Sequence, residues 1–285
     1  MKRFFLLLSL MGGLLLPLSA QEVQTPQDFL RRYNNLTQRV GVDGVGVETL
    51  LDKWESLYPE DVQQMVARFA FCFERSRTPQ VLELDKDRYL GQEPLLPTKD
   101  SLGNKHNYFQ DYVFDDDLFA AALRALEKAI ASRPDRLDYR MAKADALMAY
   151  EKGEPEMTLQ ELKSLVDRNF TKKPVWEYDG MESVNQDQFL AFMQDYCVTL
   201  FRLGTDRSAE AFRLLSEHIL TYRKDDPLFV NNLGSYYLVK KDFKKARKLL
   251  EQVLKKHPDD ATALQNIRLL ARYTKDEKLL QKYNN

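Results

Sequence analysis

The sequence predicts an all-α chain: an α-solenoid of antiparallel helix pairs, carrying an irregular insertion in which short strands can form. Three observations carry this. Glycine and proline number only 11 each in 285 residues and sit at junctions. Between the junctions, apolar residues recur at intervals of three and four, the period of a helix with one buried face. Finally, one spacing of small and apolar residues, clearest near the C-terminus, recurs upstream, as it does where stacked units share a core.

Taken in order, the chain opens with Lys2 and Arg3, an apolar run from Phe4 to Leu16, and Leu18-Ser19-Ala20. This reads as a cleaved secretory signal over residues 1–20. The run is shorter than the ~20 residues a membrane-spanning helix needs, and the polar Gln21, Gln24 and Gln27 follow at once. The first cysteine after the cut is Cys72, so no lipid-bearing N-terminal cysteine is expected. Residues 21–76 form an N-terminal helical region, with helices over Pro26 to Val40, Glu48 to Tyr58 and Pro59 to Arg75. Between the first two, Asp43-Gly44 flanked by valines suits a small hairpin or a plain loop equally. Residues 77–116 break the helical rhythm. They hold Val81-Leu82-Glu83-Leu84, a turn signal at Asp100 to Asn104, and the alternating run Tyr108 to Phe114.

Residues 117–285 return to helical periodicity, with a second irregular segment at 171–184. The clearest unit begins at Asp226-Pro227. Its first helix carries Val230, Leu233, Gly234 and Tyr237, and its second carries Phe243, Ala246, Leu250 and Val253-Leu254 before Pro258. The small residues Gly234 and Ala246 are expected to face each other where the two helices approach. Phe119, Ala122, Leu126, Ala129-Ile130 and Pro134 repeat the spacing of the second helix. Weaker pairs run over Arg136 to Tyr150 with Met157 to Phe170, and over Asp187 to Leu203 with Ser208 to Tyr222. A last unit starts at Ala261 and closes over Asp276 to Tyr283. These residues resemble the tetratricopeptide repeat family, with Val230 standing where that family often has tryptophan. The resemblance implies a concave groove lined by the first helix of each pair. It also implies a role for Asn232 and Asn266, thirty-four positions apart and equivalent on successive first helices. Amides there, free of internal partners, would bond the backbone of an extended peptide.

The sequence shows little chemistry beyond binding. Its formal charge of −1 becomes −3 once Lys2 and Arg3 leave with the signal, which argues against a nucleic-acid partner. No second long apolar segment follows, so no membrane span is expected in the mature chain. Gly41 to Val47 lacks the Gly-Lys-Ser/Thr of a phosphate loop, and there is no Cys-x-x-Cys or His-Glu-x-x-His. His106, His218 and His257 are scattered, with His257 placed to cap helix carbonyls before Pro258. Asp115-Asp116-Asp117 reads as a helix N-cap with dipole-suited acids, in preference to a metal site. No catalytic residue, metal or cofactor is therefore expected. Cys72 and Cys197 sit in apolar contexts and read as buried free thiols. The remaining candidate surface is an aromatic patch in the insertions: Tyr108, Tyr112 and Phe114 on one face of an alternating strand, with Trp176 and Tyr178. Either the two insertions pack on each other or cover an end of the solenoid, or these side chains stack on a sugar or peptide.

The sequence thus points to an exported, periplasmic or secreted, protein–protein interaction module that binds a peptide or protein segment in a groove. The first alternative is a carbohydrate-binding accessory protein that uses the aromatic insertions. A further one is an enzyme with carboxylates from Asp85, Asp87, Asp111 or Asp115, which would require two acids converging in one cleft.

Overall fold

Capping residues set where the helices begin. In the computed structural model, which describes residues 24–179 and 181–283, Thr25 caps α1 (Pro26–Val40) with a reciprocal bond from Asp28. The predicted signal at 1–20 lies outside the described residues. Asp61 caps α3 (Val62–Ser76) after α2 (Val47–Leu57). Asp115 caps α4 (Asp116–Ser132), accepting from Leu118 N at 2.9 Å. Asp116 accepts from the Tyr150 hydroxyl at 2.8 Å, so two of the three adjacent acids hold the start of this helix. The same device, an oxygen side chain accepting an otherwise orphan N–H, starts α7 (Gln186–Leu203) at Asn185, α8 (Asp206–Tyr222) at Thr205 and α9 (Pro227–Val239) at Asp226. It recurs at α10 (Phe243–Lys256) with Asp242, α11 (Ala261–Thr274) with Asp260 and α12 (Glu277–Lys282) with Asp276. Between these groups lie α5 (Leu137–Glu151) and α6 (Glu156–Lys172).

The twelve helices among the described residues pair in chain order: α1 with α2, α3 with α4, α5 with α6, α7 with α8, α9 with α10, and α11 with the short α12. Each pair then packs on the next, α6 against α8, α8 against α9, and α9 and α10 against α11. This is an all-α solenoid. Its apolar interior follows the pairs. Phe29, Trp54, Phe71 and Ala122 pack α1 to α4. Leu162, Trp176, Phe189, Met193 and Phe212 fill the middle. Val230, Leu250, Ile267 and Leu279 hold the C-terminal units. No described helix is long and apolar enough to cross a membrane. Cys72 and Cys197 are both buried and free.

Of the two readings of Gly41 to Gly46, the plain loop holds: it forms turns, with α2 following directly. His257 caps α10 as expected, through its backbone N–H bonded to Val253 O at 2.8 Å, while its side chain is exposed. One sequence expectation needs correction. Gly234 faces Leu250 rather than Ala246: a Cβ added there would lie 2.8 Å from Leu250 Cδ2 and 3.1 Å from its Cγ. The small residue makes room for a leucine from the partner helix, and Ala246 is buried separately in the same cluster.

The first irregular segment is a β-hairpin set inside a helix pair. Strand β1 (Arg77–Leu84) leaves α3 and pairs antiparallel with β2 (Asn107–Phe114), which leads into α4. Arg77 opposes Phe114 at the helix end, and Leu84 opposes Asn107 at the far end. Residues 85–106 form the long loop between them. The second segment is the smaller pair β3 (Trp176–Tyr178) and β4 (Met181–Val184), between α6 and α7.

Candidate functional site

The two asparagines predicted to line a peptide groove are used internally. Asn232 is only 6% exposed. Its amide donates to Gln194 Oε1 at 2.8 Å and Ser216 Oγ at 3.2 Å, and accepts from Gln194 Nε2 at 3.0 Å. This is a reciprocal amide pair between α7 and α9, both first helices. Asn266 on α11 donates to Ser235 Oγ on α9 at 2.9 Å. The expectation of amides free of internal partners is therefore not met. The thirty-four-residue spacing does place both on successive first helices, but their side chains join those helices to each other.

The aromatic residues divide into separate packing sites. Trp176 is 1% exposed, lies parallel to Phe189 at 6.4 Å, and donates its indole N–H to Asn169 Oδ1 at 3.0 Å. Tyr178 stacks on Phe192 of α7 at 5.0 Å. Phe114 packs edge-on against Tyr150 and Phe119, at 5.4 and 5.7 Å. The Tyr112 ring lies under the Arg77 guanidinium at 5.1 Å, and Tyr108 is half-buried. Alternation along β2 instead buries the opposite face, Asn107, Phe109 and Asp111. A single open patch holding Trp176 with Tyr108, Tyr112 and Phe114 does not form, because Trp176 fills core between β3 and α7.

What the hairpin does build is a cleft. Its strands and loop lie over the C-terminal ends of α5 and α7, enclosing about 330 Å³. Leu90, Tyr112, Phe114, Met148, Ala149 and Leu203 form the apolar walls, while Arg77, Gln92, Gln110, Asp111, Asp145 and Lys152 bring polar groups. The volume is at the lower end for a ligand pocket. A Cβ added at Gly91 would lie 2.6 Å from the Arg202 carbonyl oxygen, so glycine permits the hairpin loop to close on the end of α7. A larger hollow of 560 Å³ lies within the hairpin loop among Pro94, Pro97, Asp87 and Lys105. Of its two lysines, Lys99 and Lys105, the second is spent on Asp87, 2.6 Å away at the surface.

The charges in the cleft are not equivalent. Arg77 pairs with Glu74 at 2.5 Å. Asp111 is 6% exposed and accepts from Lys152 Nζ at 2.7 Å and Gln80 Nε2 at 2.9 Å. Burial pushes its carboxyl upward, but the bonds from Lys152 and Gln80 outweigh burial and hold it below the ordinary carboxylate range. Lys152 reaches Asp111 from the C-cap of α5, where it adopts φ 57° and ψ −116°. A side chain other than glycine costs on the order of 1 kcal/mol in such a conformation, so the backbone strain is tied to the position that delivers this ammonium.

Asp145, about two turns earlier on α5, is exposed to the cleft. One oxygen accepts from the Tyr196 hydroxyl of α7 at 2.7 Å. The protein crowding it pushes its carboxyl above the ordinary value, against the smaller pull of Tyr196. Burial, reinforced by Asp145, raises the Tyr196 phenol in turn, so the proton stays on the phenol. Among the described residues no cation pairs with Asp145. Sequence reasoning named Asp111 only as a possible acid and passed over Asp145 and Lys152. The available signal was a lone carboxylate between the buried alanines Ala144 and Ala146, on a stretch where a packed face was expected.

Neither a protein-family model nor a curated protein sequence matches this chain. Among solved structures, PilF of Pseudomonas aeruginosa is similar to it over 90% of this chain and 88% of that one, with 11% sequence identity and a TM-score of 0.37.

Proposed function

We propose that this chain is an exported protein-interaction module of the tetratricopeptide type, holding a segment of a partner protein in the cleft between the hairpin and the ends of α5 and α7. The observation that carries the reading is the hairpin itself. It is inserted within a helix pair, is braced by a partly buried ion pair, and encloses a cleft of mixed apolar and charged character against two first helices. Side chains deeper along the first helices are committed to joining repeats, which moves the expected contact from the middle of the groove to this edge. Export rests on the Lys2-Arg3 start, the apolar run and Ala20.

In-cell photo-crosslinking tests this. A crosslinking residue at Gln92, on the cleft rim, should repeatedly trap one protein species, while the same residue at Lys255 on α10 should not. The trapped chain should begin near Gln21. Equal trapping from Lys255 would refute the cleft, and a cytoplasmic chain retaining Met1 would refute export.

A second reading, catalysis, draws on two carboxylates, Asp111 and Asp145, lining one cleft with their titrations driven apart, a pattern seen in acid–base pairs. Donors from Lys152 and Gln80 occupy Asp111, however, and Asp145 is left to act alone. We therefore favour binding.

A further inference from the structure

We propose that the cleft receives a basic side chain, an ammonium or guanidinium on an apolar stem, presented by the partner polypeptide, with Asp145 as its counter-ion. The inference rests on the interaction reading above and names the chemistry of the contact.

The charge count around the cleft leads to it. Glu74 and Arg77 neutralise each other, as do Asp111 and Lys152. Asp145 is left over, so the group carries one uncompensated negative charge when that carboxyl is ionised. A carboxylate in a site where protein replaces much of its water gains more from a cation than one on an open surface, because the local dielectric is lower. The Tyr196 hydroxyl fixes one Asp145 oxygen and orients the group, and the other is free to accept. The remaining wall is of the kind that covers a lysine or arginine stem: Leu90, Met148, Ala149 and Leu203. Gln110 spends its amide N–H on the Tyr112 hydroxyl at 2.8 Å, which leaves its carbonyl as a further acceptor. An acidic segment would meet Asp145 unfavourably and find both cleft cations already paired. A neutral apolar segment would leave the Asp145 charge desolvated and unmatched.

The test uses the mature chain and three capped tripeptides, acetyl-Ala-X-Ala-amide with X lysine, arginine or norleucine. The Asp145 carboxyl is followed by carbon NMR as peptide is added. The lysine or arginine peptide should shift the Asp145 signal saturably and move its titration downward, and comparison of these two distinguishes ammonium from guanidinium. Norleucine, which supplies the stem without the charge, should do neither. Asp145→Asn retains an oxygen for Tyr196 and should keep the circular-dichroism spectrum. It should weaken the basic peptide by about tenfold or more, the usual scale for losing a hydrogen bond to a charged group. Asp195→Asn, an exposed acid of α7 outside the lining, should leave it unchanged. If neither basic peptide moves Asp145, or if norleucine moves it equally, the proposal is overturned. Trapping from Gln92 that persists in Asp145→Asn would overturn it too while leaving the interaction reading standing, whereas absence of trapping in the native chain sinks that reading itself.

Discussion

Replacing Asn232 with alanine discriminates a structural clamp from a groove-facing ligand group. The substitution removes three hydrogen bonds at once, two with Gln194 and one with Ser216. Each is worth about 0.5–1.5 kcal/mol net, and a buried partner left unpaired adds to that. Ser216 is fully buried but keeps its bond to the Phe212 carbonyl at 2.8 Å, so its loss is softened. Gln194 is half-buried and recovers some water. The expected cost is therefore about 2–4 kcal/mol. Asn266→Ala removes one bond, to Ser235, at a half-buried position, and should cost about 0.5–1 kcal/mol. Urea unfolding followed by circular dichroism measures both, with the midpoint falling and the slope unchanged. A double substitution with Gln194→Ala should be non-additive, because the two side chains share one interaction. If both asparagine variants unfold within about 0.5 kcal/mol of the parent, the ordinary range for surface changes, the clamp is wrong and the amides are free after all.

Two further outcomes follow from the packing and the cleft. Gly234→Ala gains up to about 1 kcal/mol of helix propensity but drives a methyl against Leu250 at 2.8 Å. Overpacking of this kind costs about 1–3 kcal/mol, so the melting temperature should fall and should recover in a Leu250→Val background; a rise in the single variant would refute the contact. Lys152→Met strands the buried Asp111 carboxylate and should cost about 2–4 kcal/mol near pH 7, less than for a fully buried pair because the lysine is partly exposed. In the parent, the depressed Asp111 titration contributes stability above the ordinary carboxylate value that is lost as pH falls through its lowered value. The deficit of the variant should accordingly shrink in acid, and a pH-independent deficit would show that the ion pair contributes little.

The helices were legible because their signals are local. A cap residue, an apolar period and a following proline or glycine all act within a few positions, which is why Asp115 and Asp226 mark helix starts that the structure shows; the caps at Thr25 and Asn185 carry the same local signal but were passed over. The short strands were legible in part, since Tyr108 to Phe114 alternates, although the buried face proved to be that of Asn107, Phe109 and Asp111. The cleft was not legible. Its walls come from β2, the hairpin loop, α5 and α7, and no periodicity states that a loop closes on the end of a helix far along the chain. Trp176 misled for a related reason. An aromatic residue in an irregular segment looks available until the neighbouring helix is placed, and here Phe189 and Asn169 enclose it.

The contacts joining successive first helices explain why the binding reading settles on one end. Between α9 and α11 the link is Ser235 with Asn266; between α7 and α9 it is the Gln194–Asn232 amide pair. Both are neutral, and their polar groups satisfy one another. Between α5 and α7 the equivalent link is Tyr196, bonded to the Met141 carbonyl at 3.1 Å and to Asp145 at 2.7 Å. Replacing an amide by a carboxylate keeps the helices joined but leaves a charge and a free oxygen that the link itself cannot use. That open link lies beneath the hairpin, where Asp111, Lys152 and the loop narrow the site around it. A carboxylate needed only for packing would be better served by asparagine, as the next link is. A carboxylate at the junction beneath the inserted hairpin fits the arrival of a cationic group there.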